Sequence, residues 1–301
     1  MIYTVTLNPA VDYVVECGTI SMGAVNRLGS GEIFFGGKGI NVSLVLAELG
    51  IPSKALGFTA GFTGEAIEKG IAEKGIATDF VRLDSGFSRI NIKLRTGLPT
   101  ETELNGQGPK IPEDKVRELY SRFEAMKEGD TIVLAGSIPS SLSADIYEKI
   151  LAHLQQKKIR AIVDASGNLL LNVLKYKPFL IKPNNFELGE IFGDTVDTPE
   201  KAAEYAMKLK EMGAVNVLVS MAEQGAVLVD ESGKIHVSKA YSGTVKNTVG
   251  AGDSMVAGFI AGYEKGGCDY ALRLGTACGG ATAFSDGLAS AAEIYALMGE
   301  E

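Results

Sequence analysis

Residues 247–263 read NTVGAGDSMVAGFIAGY. Three small residues, Gly250, Ala251 and Gly252, stand directly before Asp253, and Met255, Val256, Phe259, Ile260 and Tyr263 then recur at the spacing of one helix face. A turn of small residues that opens a helix lets ligand oxygens reach the free N–H groups of the first turn, where the dipole also favours negative charge. A carboxylate at that place can take a proton from an attacking hydroxyl while the N–H groups neutralise a phosphoryl group in transfer. Taken alone, an aspartate at a helix start is more often a cap or dipole partner.

A second glycine cluster opens another helix, in FFGGKGINVSLVLAELG at 34–50. Two named alternatives fail on spacing. A Walker loop needs four residues between its first glycine and a Gly-Lys followed by Ser or Thr, whereas Lys38 is out of register and is followed by Gly39. A dinucleotide fingerprint belongs in the first strand-to-helix turn, and these clusters lie after about thirty residues and near the C-terminus.

Between and around the clusters, two kinds of organisation are legible. From about residue 112 the helical pattern PEDKVRELYSRFEAM is followed by the strand TIVLAGS (131–137), and the alternation continues through SADIYEKILAHLQQK, RAIVDAS, FLIKPN, a helix from 199 to about 212, and VNVLVS. A mostly parallel sheet follows from this pattern, with Ser137, Asp164, Asn184 and Ser220 on the rim where α/β sheets bind ligands. The first hundred residues carry short alternating segments instead, among them GEIFF (31–35) and RINIKLR (89–95), in which Ile90, Ile92 and Leu94 alternate with Asn91, Lys93 and Arg95 as in a strand with one wet face. Such strands predict a small separate sheet acting as a lid or a dimer contact.

The 301 residues are 46% hydrophobic and 22% charged, enough apolar content for a large core, and 29 basic against 37 acidic residues give a net charge of −8. A nucleic-acid-binding basic face is not expected. No apolar run approaches a membrane span and the start MIYTVTLNPAVDY lacks the marks of a signal peptide, so a cytoplasmic protein without a membrane partner is expected. Cys17, Cys268 and Cys278 are far apart and lack CxxC spacing, which argues against a disulfide framework or a zinc site. His153 and His236 have no motif around them and read as ordinary packing residues, which removes a Ser/His/Asp hydrolase.

GGKGINVSLVLAELG and NTVGAGDSMVAGF resemble, in order and position, the two signatures of the ribokinase-like sugar kinases, the PfkB family. TLNPAVD (6–12), SRINIKL (88–94), LAGSIP (134–139) and KPNNFEL (182–188) resemble its branch of 1-phosphofructokinases and tagatose-6-phosphate kinases. The resemblance spans essentially the whole chain. It implies one kinase domain over 1–301, a ribokinase-like α/β/α sandwich with a mostly parallel central sheet and a small β-sheet lid, its strands drawn mainly from about 11–35 and 88–105.

The roles it implies are these. Asp253 is the general base, with Gly250, Ala251 and Gly252 as the anion hole. Asp12 holds sugar hydroxyls, with Gly37, Lys38, Asn41 and Ser137 as further sugar-side contacts; a carboxylate accepts from two hydroxyls, and an asparagine both gives and receives. Arg89 grips the phosphate the substrate already carries, with Arg27 and Lys38 as further candidates. On the nucleotide side stand Lys182, Asn184, Ser220, Gly225 and Gly279, and Asn184 with Glu187 acts on magnesium through water. ATP and Mg²⁺ are the implied cofactors, a sugar phosphate is the small-molecule partner, and a homodimer through the lid sheet is suggested.

Two departures stand out: Asn247 where the broad family often has aspartate, and Ala222 where the loop VSMAEQGA usually has glycine. The expected reaction converts fructose 1-phosphate to fructose 1,6-bisphosphate, with a tagatose-6-phosphate kinase as the alternative. A catalytically silent sugar-phosphate binding protein is the alternative of another class.

Overall fold

The near-continuous apolar runs of the second half fold as strands covered on both faces, as parallel sheets require. The structure, a computed structural model, describes residues 1–96 and 102–299; the part of the expected lid segment at 97–101 lies outside them. In chain order the first half comprises β1 (Ile2–Thr6), β2 (Ala10–Glu16), β3 (Ser30–Gly36), α1 (Lys38–Glu48), β4 (Ser53–Ala60), α2 (Gly61–Ala72), β5 (Ala77–Thr78), β6 (Val81–Leu83), β7 (Arg89–Arg95), β8 (Thr102–Asn105) and α3 (Glu113–Phe123). The second half comprises β9 (Thr131–Ala135), α4 (Ile146–Leu154), β10 (Arg160–Asp164), α5 (Gly167–Val173), β11 (Leu180–Ile181), α6 (Asn185–Phe192), α7 (Pro199–Glu211), β12 (Asn216–Ser220), β13 (Ala226–Val229), β14 (Ile235–Ser238), α8 (Ala251–Phe284) and α9 (Ala291–Met298). The strand expected over FLIKPN is short, because Pro183 interrupts the ladder, which resumes only as a single bridge at Asn184, the cap of α6.

The main sheet runs β14-β13-β12-β11-β10-β9-β1-β4-β5, with β6 also on β4. It is parallel except at β13 and β14. Alternation along each strand divides the core into two layers. Ile132, Leu134, Val163, Ile181, Val217 and Val219 face α3, α4 and α7, while Val133, Ala135, Ile162, Leu180 and Leu218 face α1 and α8. The chain leaves β1 toward β4 on one side and later returns to β9 on the other. The carboxyl ends there border a switch-point crevice of the kind that holds ligands in open α/β sheets.

The second sheet has the order β3-β2-β7-β8. Its registers place Phe34, Asp12, Asn91 and Asn105 in one row and Ile33, Tyr13, Ile92 and Leu104 in the next, on opposite faces. β7 alternates as its sequence requires, but with the ordinary phase reversed: Asn91 and Lys93 are buried, whereas Ile90 is exposed. Asn91 and Lys93 are covered because their face of the sheet closes over the crevice, and Ile33, Ile90 and Leu104 are left facing outward.

Candidate active site

α8 begins where Gly250 takes a left-handed backbone (φ 82°), a conformation natural to glycine, and the chain enters the helix at Ala251. The amide of Ala251 turns back to the Thr248 carbonyl at 3.3 Å. The next N–H groups belong to the first turn, which has no acceptors of its own. A Cβ on Gly252 would lie 3.1 Å from Lys182 Nζ, so the absence of a side chain there brings an ammonium to the mouth of the helix.

Asp253, one residue further, is only 4% exposed, and its Oδ2 accepts a 2.7 Å hydrogen bond from Asn41 Nδ2 of α1. Burial first, and the charge of Asp164 second, push Asp253 up to about 7, against the opposing pull of Lys38, Asn41 and Lys182. Asp164, at the end of β10, is buried as well. Its Oδ2 accepts from Lys38 Nζ at 3.2 Å and its Oδ1 lies 3.6 Å from Lys182 Nζ. Burial works against the Asp164 charge, but the two ammonium groups outweigh it and hold the carboxyl below its usual range. Burial likewise opposes the charge of Lys38, and Asp164, Asp253 and Glu187 together keep it firmly protonated. The two buried carboxylates are thus driven apart, one held ionised and the other raised toward neutrality.

The sugar-side candidates line a cavity of about 360 Å³ directly in front of Asp253, which Asp12, Gly37, Lys38, Asn41, Arg89 and Ser137 border together with Gly250. Each is set by a local device. Gly37 has φ 127° with its open side against the Thr6 methyl, which places Lys38 at the first turn of α1. Asp12 Oδ1 accepts from Asn91 Nδ2 at 2.7 Å, and Asn91 Oδ1 in turn accepts from Gly106 N, so the carboxylate is aimed from the lid. Arg89 donates from Nε to the Asn8 carbonyl at 3.0 Å. Burial lowers the Arg89 pKa, with Asp12 and Glu103 opposing. Sequence reasoning missed Asn91, Lys93 and Glu103 as cavity residues and placed Asp164 on the rim without seeing that it holds both lysines. Arg27 is not brought to the cavity; it is exposed in the loop between β2 and β3, outside the cavity lining.

On the nucleotide side, Asn184 and Glu187 form a reciprocal cap for α6: Asn184 Oδ1 accepts from the Glu187 amide at 2.8 Å and Glu187 Oε2 from the Asn184 amide at 2.9 Å. One oxygen of each is therefore committed to the helix. Ser220 ends β12 beside Asn184 through a parallel bridge. Gly225 has φ 90°, and any Cβ would strike the Ser238 carbonyl. Ala222 sits at φ 48°, the left-handed region where the missing glycine would be at ease. Gly279 is buried with its open side 3.1 Å from the Ala251 carbonyl, so in this structure it serves the packing of α8 against its own start. Asn247 Oδ1 accepts from the Val249 amide and shapes the approach to Gly250.

Comparisons with known proteins agree with this geometry. The model of the pfkB family of carbohydrate kinases matches residues 5–294. The chain is 46% identical to a 1-phosphofructokinase of Bacillus subtilis, over 100% of this chain and 98% of the relative. It is 37% identical to a D-tagatose-1-phosphate kinase of Bacillus licheniformis, over 98% and 96%. The crystal structure of phosphofructokinase-2 from Escherichia coli in complex with substrates and products superposes with a TM-score of 0.93 at 27% identity, covering 99% of this chain and 98% of that one. With both glycine-rich helix starts meeting at one buried aspartate, and with a family match across nearly its whole length, this chain belongs to the pfkB family of carbohydrate kinases.

Proposed function

We propose that this protein transfers the γ-phosphoryl group of ATP to the 6-hydroxyl of fructose 1-phosphate, giving fructose 1,6-bisphosphate and ADP. The observation that carries the reading is Asp253, buried, raised to about 7 and set at the mouth of a helix beside a sugar-sized cavity. Asp253 takes the hydroxyl proton as the oxygen attacks the γ-phosphorus. The bond to the β-phosphate oxygen breaks, and the first-turn N–H groups of α8 with Lys182 receive the charge on the moving phosphoryl group. Asp12 and Asn41 orient the sugar hydroxyls, and Arg89 with Lys38 binds the phosphate already present.

Magnesium fits the donor set. Asp164 Oδ1 is buried without a hydrogen-bond partner among the described residues, and the Glu187 charge reaches Lys38 beside it. These carboxylates would hold the ion largely through its waters, and the ion would supply neutralisation of the nucleotide phosphates.

The lid strands carry Asp12 and Arg89, while Asp164 ends β10, Lys182 follows β11 and Asp253 lies in the first turn of α8. Closure of the lid over these therefore assembles the site and excludes water. The outward apolar row Ile33, Tyr13, Ile92 and Leu104 supports a homodimer formed lid to lid. The Bacillus licheniformis relative favours a second reading, with tagatose 1-phosphate rather than the 6-phosphate as the alternative substrate. A panel of fructose and tagatose 1- and 6-phosphates, assayed for ADP formation with ATP and Mg²⁺, decides among them. Fructose 1-phosphate should have the highest kcat/KM. Turnover of none of the sugar phosphates would leave only a binding protein.

A further inference from the structure

The far end of α8 carries a cluster that the kinase reading does not use. The helix breaks at Gly266 and Gly267 and resumes with Cys268 and Asp269, which face hairpin β13–β14. Asp230 follows β13. Its Oδ1 is fixed by the Ser232 amide at 2.8 Å, the Ser232 hydroxyl at 2.6 Å and the Lys234 amide at 3.0 Å, so that Oδ2 points at His236 Nε2, 2.7 Å away. The other ring nitrogen, Nδ1, meets Asp269 Oδ1 at 2.5 Å. Asp230 and His236 are buried and Cys268 is half-buried, and one ligand atom from each lies within 4.8 Å of the others.

We propose that Asp230, His236 and Cys268 form a binding site for a divalent metal ion of the zinc class, which pins the hairpin to the second half of α8. A carboxylate oxygen, an imidazole nitrogen and a thiol make a mixed donor set that such an ion takes readily, with water as the fourth ligand. Asp269 on Nδ1 is the outer carboxylate that orients a ligating histidine, and it leaves Nε2 as the ligand atom. Nε2 and Asp230 Oδ2 must part by roughly half an ångström to admit an ion at ordinary bond lengths. Binding releases two protons to solvent, one from the Cys268 thiol and one from the pair Nε2 and Asp230, so affinity rises with pH. Lys234, 3.5 Å from Asp269, lies on the outer carboxylate rather than among the ligands.

The test uses the nucleotide-free full chain and Co²⁺ as the probe. One equivalent should give the ligand-field bands of a four-coordinate site together with a thiolate charge-transfer band, and both should vanish in Cys268→Ser, whose unchanged kinase activity reports an intact fold. In the unmutated protein, Zn²⁺ should slow alkylation of Cys268, mapped by peptide mass, by at least roughly tenfold, and a chelator should restore it. A titration without the thiolate band, a band that persists in Cys268→Ser, or alkylation indifferent to Zn²⁺ overturns the site.

Discussion

Replacing Asp253 by asparagine should make the protein more stable and nearly inactive at once. The folded carboxyl binds its proton with a pKa of about 7 against 3.8 when free, because burial and then Asp164 disfavour its charge. The folded state therefore holds the proton more tightly than the unfolded one. The stability this contributes is complete below pH 3.8 and is lost as pH rises through about 7. At about 1.4 kcal/mol per pH unit, the loss between pH 5 and pH 8 is ~2–3 kcal/mol. Asparagine accepts the Asn41 hydrogen bond in the same shape and stays neutral, so Asp253→Asn should escape that loss. Urea unfolding of both proteins at pH 5 and pH 8 reads the difference directly, since every other titrating group is shared. The same variant should lose roughly two to four powers of ten in kcat with a much smaller change in KM. Stability curves of the two proteins that run parallel from pH 5 to pH 8, or a variant that keeps near-normal turnover, would refute the reasoning.

Other expectations follow from the same geometry. Arg89→Ala should raise KM for fructose 1-phosphate by about 10- to 150-fold, the equivalent of ~1.5–3 kcal/mol for a charged hydrogen bond, while weak turnover of unphosphorylated fructose stays as it was; equal losses on both substrates would make Arg89 structural. Ala222→Gly relieves a left-handed backbone and should raise stability by up to about 1 kcal/mol in denaturant melts, with a fall in Tm counting against it. Sugar phosphate should protect the amides of residues 11–35, 88–96 and 102–105 from hydrogen exchange, and ATP turnover without sugar should be negligible; exchange that ignores the sugar would leave the lid without a closing role.

The parts of the site that were legible in the sequence are those written locally. Gly250 to Asp253, and Gly37 with Lys38 and Asn41, announce themselves because a helix start with small residues needs only neighbours in the chain. The alternation of β7 was equally plain, but alternation says that two faces differ and not which one is covered; that was decided by the crevice lying beneath Asn91 and Lys93. Asp164 looked like one rim residue among several because its hold on Lys38 and Lys182 joins β10 to the first turn of α1 and the end of β11. Asn184 and Glu187 show the opposite difficulty: an Asn-x-x-Glu spacing is also a helix cap, and the structure uses it as one. His236 and Cys268 stand far from any motif in sequence, and only the break in α8 and the turn after β13 bring them face to face.

The two core layers on either side of the main sheet differ in what rests on them. Val42, Val45 and Leu46 of α1 and Val256, Phe259 and Ile260 of α8 share one layer with Val133 and Ile162, whereas Ile132 and Leu134 face the helices of the other. Both helix starts that meet at Asp253 are therefore mounted on a single foundation, and a void under it tilts the two against each other. Neighbouring positions on β9 should then age differently in evolution. Residues facing α1 and α8 drift only as far as the aim of Asn41 on Asp253 tolerates, while those facing α3, α4 and α7 are free to trade volume so long as the domain still folds.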